Sequence, residues 1–265
     1  MSILDIFADY SLWTLLALVL LSFTAGFIDA VVGGGGLIQI PALLINFPHQ
    51  ALPTLFGTNK IAGLAGTSVA AYQYAKRIKF DLKLLFVVSL AAFVASFLGA
   101  KTVSHLNVST LKPVILVILV LIAIYTFVKK DLGAIQTKQL PSNQQLFFGA
   151  LIGIVVGFYD GFFGPGTGSF LVLGFVVVLG FEFVAASAYA KIINCMTNIS
   201  ALVVFVHQGN YLLEIAVLMS VFNVAGSLIG SKIALKNGNG FVRIIFLVIV
   251  SLMILRYGYD VFYGN

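Results

Sequence analysis

Long apolar runs separated by short polar breaks cover most of the chain. A helix needs roughly 20 apolar residues to cross the hydrocarbon core of a bilayer. Gapless candidates are Leu12–Val32, Pro53–Tyr74, Leu82–Leu106 and Leu111–Val128, with a shorter stretch, Leu37–Phe47, after the first. The one extended polar segment, Lys129 to Gln145, follows. The series then resumes with Leu146–Phe163, a short Ser169–Gly180, Phe183–Val206, Leu212–Leu235 and Phe241–Phe262. None of the runs alternates polar and apolar residues as a barrel wall does. The pattern predicts an all-α polytopic membrane protein in two five-segment halves, residues 1–128 and 146–265, joined by a cytoplasmic linker over 129–145.

Composition makes lipid the solvent. Of 265 residues, 60% are apolar and 9% charged, against about 25% charged in a soluble domain. The net charge of +6 does not point to a nucleic-acid partner, because the basic residues sit in clusters between apolar runs. Lys76-Arg77-Ile78-Lys79 and Lys129-Lys130 are the clearest of these, and they follow the positive-inside rule. Leu12–Val32 is too long for a signal-peptide core and is expected to be retained. His49, His105 and His207 are scattered without metal-ligand spacing, and Cys195 lies inside an apolar run. No catalytic residue, metal or cofactor is expected. The expected partners are the lipid bilayer and a small anionic substrate, with a second copy of the chain as a further candidate.

The two halves align on each other at an offset of 131 residues without a gap. Gly26-Phe27-x-Asp29 falls on Gly157-Phe158-x-Asp160, Gly33-x-Gly35 on Gly164-x-Gly166, and Lys60-Ile61 on Lys191-Ile192. The connections around these segments carry opposite charge bias. Lys76, Arg77, Lys79 and Lys83 lie between the third and fourth segments of the first half, where the second half has no Lys or Arg. The second half instead places Lys232, Lys236 and Arg243 one connection later. Five passes per half therefore predict inverted repeats, with both termini periplasmic and ten of the fifteen basic residues cytoplasmic. The short second segment is the one on which this parity depends.

Each half holds the same package inside lipid. Asp29 and Asp160 close an apolar helix, and the clusters Gly33-Gly34-Gly35-Gly36 and Gly164-Pro165-Gly166-Thr167-Gly168 follow at once. Glycine weakens a helix by about 1 kcal/mol relative to Ala, and proline interrupts it. Unwound backbone at membrane depth is tolerated only when buried in protein or lining a cavity. The short helix restarting after each cluster would direct its N-terminus toward that cavity and favour an anion there. Close helix packing is the plainer account of the glycines.

Lys60 and Lys191 stand in the third helix of each half, and intramembrane ionisable residues mark a pathway or a paired site. Two readings stand side by side. In one, the lysines attract an anion while Asp29 or Asp160 takes a proton; in the other, the carboxylates neutralise the lysines as buried ion pairs. Thr58, Asn59, Asn194, Thr197 and Asn198 add neutral hydrogen-bonding groups, Asn194 and Asn198 sharing a helix face with Lys191.

At Gly26-Phe27-Ile28-Asp29 with Gly33–Gly36, at Thr58-Asn59-Lys60, and at Gly157-Phe158-Tyr159-Asp160-Gly161-Phe162-Phe163-Gly164-Pro165, the chain resembles the TauE/SafE family of sulfite-exporter-like bacterial permeases. The resemblance covers nearly the whole chain. It implies an inner-membrane transporter of a small sulfur-containing anion such as sulfite or an organosulfonate, with the glycine motifs, Lys60 and Lys191 as family-like positions. A non-transporting membrane scaffold or partner subunit, and an anion channel, are the rival expectations.

Overall fold

A computed structural model describes residues 10–103, 133 and 140–262. The expected span Leu111–Val128 and most of the polar linker lie outside the described residues. Helix α1 (Leu12–Val32) starts at Ser11, whose side chain accepts the Thr14 N–H, and stops at Gly33 in the left-handed conformation. The other helices are α2 (Gly36–Asn46), α3 (Leu52–Ala75), α4 (Leu82–Thr102), α5 (Ser142–Phe162), α6 (Thr167–Leu173), α7 (Phe183–His207) and α8 (Leu213–Phe262). A π-helical turn, Gly174–Val178, continues α6. The two last expected segments run on as α8 with a break at Gly238, whose φ of 73° and ψ of −162° only glycine adopts readily.

Helices α1, α4, α5, α7 and α8 are long and apolar enough to cross a membrane. Helix α3 matches them in length, with 24 residues, but Thr58, Asn59, Lys60, Thr67, Ser68 and Gln73 dilute its apolarity. It supplies more polar side chains to the site below than any other helix.

The short helix α2 doubles back along α1. Gly35 packs on Ala25 and Asp29, Leu43 joins Leu18 and Leu55 in one buried cluster, and the Phe47 ring meets that of Tyr10 at 5.9 Å. This hairpin brings the chain back beside its own start, so α3 runs in the same direction as α1.

The closest helix pairs join one half to the other. Glycines at every fourth position of α5 let its backbone lie against α4. A methyl at Gly153 or Gly157 would come 2.7 or 2.5 Å from the carbonyls of Val88 and Ala92. Helices α1 and α8 repeat the arrangement through Gly26 on Asn223 and Gly230 on Phe27. The 131-residue shift turns one set into the other, since Gly157 on Ala92 corresponds to Gly26 on Asn223, and Gly99 on Phe158 to Gly230 on Phe27. Such small-residue seams are how helices associate where lipid removes the usual hydrophobic drive.

The equivalent helices α3 and α7 pass each other antiparallel, with Gly57 beside Phe205, Lys60 beside Asn198 and Ser68 beside Cys195. They cross where the two broken hairpins meet.

Candidate functional site

Both glycine clusters unwind the chain as their composition predicts. Gly33, Gly164 and Gly166 have φ of 86°, 94° and 83°. The two breaks touch: a side chain on Gly33 would overlap the Gly168 backbone, and one on Gly168 would overlap Gly33. Ser169 closes the contact, its N–H donating to the Gly33 carbonyl (3.1 Å) and its Oγ to that of Val32 (3.0 Å). The Thr167 N–H donates to Gly164 (3.2 Å). Much of the N-terminus of α6 is therefore occupied by protein carbonyls, and the expected anion seat on free N–H groups there is largely filled.

The ion pairs are crossed between the halves. Lys60 Nζ donates to Asp160 Oδ2 at 2.8 Å and to Asn198 Oδ1 at 3.2 Å. Lys191 Nζ donates to the main-chain carbonyl of Asp29 and lies 3.7 Å from Asp29 Oδ2, which also accepts from Thr67 Oγ1 at 2.8 Å. Each lysine thus sits at the C-terminal end of the broken helix of the other half, where the helix dipole favours a cation.

Between them lies a cavity of about 30 Å³, room for about two water molecules. Asp29, Gly33, Gly35, Gly36, Asn59, Lys60, Asp160, Gly164, Gly166, Thr167, Gly168, Asn194 and Asn198 all line it. Gly34, Thr58 and Lys191 do not. Gly34 faces Ile28, Leu37 and Ile249. Thr58 Oγ1 bonds the Thr54 carbonyl and accepts the Leu212 N–H. Lys191 is fully buried behind Asp29. The two lysines are therefore unequal: Lys60 faces the cavity, and Lys191 clamps the end of α1.

Four lining residues were not anticipated: Gln39, Gly63, Thr67 and Asn223. Gly63 and Thr67 follow Lys60 at helical spacing, a legible signal. Gln39 and Asn223 interrupt apolar runs but fall opposite Phe170 and Ala92 in the repeat register, so matching the halves passes over them. They are also chemically the most open. Gln39 Nε2, Asn59 Oδ1 and Asn223 Oδ1 are buried without a hydrogen-bond partner, and all three side chains border the cavity. A buried unpaired amide atom costs on the order of 1–3 kcal/mol, a cost that a polar guest would relieve. Among the described residues no group of three or more His, Cys, Asp or Glu side chains converges.

A family model described as sulfite exporter TauE/SafE matches residues 18–257. A probable membrane transporter protein of Haemophilus influenzae is 32% identical over 95% of this chain and 97% of its own length. A probable membrane transporter protein, ORF9, of a Sinorhizobium species is 36% identical over 92% of each chain. The probable membrane transporter protein YfcA of Escherichia coli K12 is 32% identical over 92% of this chain and 89% of its own. No solved structure gives a significant match.

Proposed function

We propose that this chain, which belongs to the sulfite exporter TauE/SafE family of membrane transporters, is a secondary transporter of a small sulfur-containing anion in the bacterial inner membrane. Sulfite or a compact organosulfonate is the favoured cargo. The observation that carries this reading is the polar cavity in an apolar helix bundle, where Lys60 and three unpartnered amide atoms meet. Gln39 Nε2 is a free donor for an oxyanion, the Asn59 and Asn223 amides would offer N–H groups after a flip of O and N, and Lys60 supplies charge. The antiparallel passage of α3 and α7, which the repeat register aligns, supports inverted halves. Inverted repeats are a common transporter plan, with substrate held where the halves meet.

The cavity has room for about two water molecules, so a sulfonate loads only into a wider form of it. Lys60, Asp29 and Asp160 line the cavity, and Lys191 neutralises Asp29 from behind. An anion beside Lys60 meets the Asp160 carboxylate that already occupies the ammonium. Protonating Asp160 removes that competitor and leaves Lys60 with its full charge for the anion. Proton and anion then bind together.

The test is uptake by proteoliposomes holding the full chain, across a panel of sulfite, small sulfonates and carboxylates. Saturable flux that favours the sulfur anions is expected. Flux proportional to concentration without saturation would instead assign a channel, and absence of flux with every anion would overturn the transport reading. Asp160→Asn keeps the shape of the neutral acid, so its uptake should no longer respond to an imposed proton gradient. An unchanged response to the gradient would make Asp160 a structural partner only.

A further inference from the structure

A second groove lies one to two turns further along two of the site helices, between the C-terminal end of α3 and the stretch of α8 before its break. Its volume is about 790 Å³. Lys76 and Arg77 line it from one side and Lys232 and Lys236 from the other, and among the described residues no carboxylate borders it. Its floor is apolar, formed by Val69, Leu228 and Leu235. Tyr72 stands at the mouth with the Lys76 ammonium 4.0 Å from its ring centre.

This groove does not lead to the central cavity. Tyr72 is five residues beyond Thr67 on α3, and Leu228 five beyond Asn223 on α8. At 3.6 residues per turn, five residues rotate the helix face by about 140°. Both helices therefore turn the groove away from the site and toward the bundle's outside, where Tyr72 is 63% and Leu228 39% exposed. Helix α8 also runs parallel to α3, Thr58 meeting Leu212 and Gln73 meeting Leu228. The four cations consequently collect at one end of the bundle, at the level where a membrane helix meets lipid headgroups.

We propose that this groove binds an anionic phospholipid. Its phosphate is held by Lys76, Arg77, Lys232 and Lys236, and the start of an acyl chain lies on Val69, Leu228 and Leu235. Uncompensated cations above an apolar floor complement the two parts of such a lipid, and basic pockets between membrane helices recognise anionic headgroups in this way. A free anion would gain nothing from the floor, and a zwitterionic lipid would bring its own cation among the four.

Binding of fluorescent phosphatidylglycerol to the purified full chain in detergent micelles tests this, with phosphatidylcholine and inorganic phosphate as competitors. Unlabelled phosphatidylglycerol should compete at least tenfold better than phosphatidylcholine, and phosphate should compete weakly. The double substitution K232Q/K236Q should weaken binding about tenfold or more. K79Q/K83Q, which removes the same charge outside the groove, should leave it within about twofold. Equal loss in both variants would mean diffuse charge attraction and overturn the site. Competition by phosphate as strong as by lipid would reassign the groove to a free anion and overturn the lipid.

Discussion

Lys60→Met should abolish anion flux and also cost the fold about 3–5 kcal/mol, because it leaves the Asp160 carboxylate buried without its cation. Asp160 is 2% exposed, so bulk solvent does not replace the lost partner. The double variant K60M/D160N separates the two effects. With neither charge present the desolvation penalty disappears, and most of the lost stability should return. Flux should not return, since the ammonium that holds the anion is still missing. The measurements are thermal unfolding in detergent and uptake by proteoliposomes. Restored transport in the double variant would show that Lys60 serves only to neutralise Asp160.

Gly33→Ala should be at least as damaging to the fold, for a different reason. The left-handed φ of 86° at Gly33 costs an alanine about 1–2 kcal/mol. The added methyl would in addition overlap the Gly168 backbone, and backbone in a hydrogen-bonded break has nowhere to retreat. The two hairpins would be driven apart at their contact, with loss of folded protein on size-exclusion chromatography. Gly63→Ala is the informative contrast. A methyl there meets nothing within 4 Å, and a helical Gly→Ala change gains up to about 1 kcal/mol. Gly63 nonetheless lines the cavity, so this variant should unfold at a higher temperature while transporting less. A Gly33→Ala protein that folds normally would remove the contact between breaks from any structural role.

The breaks and the buried charges were legible in the sequence because each violates what lipid demands of a helix. Four consecutive glycines and a Gly-Pro-Gly cannot continue α1 and α5, and Asp29, Lys60, Asp160 and Lys191 are costly where they stand. Sequence separation hid who pairs with whom. Nothing local tells that Lys60 meets Asp160 100 residues away, nor that Lys191 reaches the end of α1. The expectation of two equivalent lysines came from the repeat, and it failed to separate them because near-identical motifs were packed into unequal surroundings. Asn223 makes the same point. Its counterpart Ala92 packs against the Gly153 and Gly157 seam, so symmetry conceals the position, while a buried amide without a partner reveals it once the helices are assembled. The return of α2 along α1 likewise depends on contacts such as Phe47 with Tyr10, which no periodicity encodes.

The crossed ion pairs bear on how the protein is made. A ribosome adding about 5–20 residues per second delivers Asp160 roughly 5–20 s after Lys60, from which it is separated by 100 residues. Throughout that interval the first half carries an ammonium whose partner has not been synthesised. Helix α3, already the least apolar of the long helices, is thus poorly suited to settle in lipid alone. Its insertion waits on the second half, and a chain truncated before α5 should remain bound to the insertion machinery or be degraded.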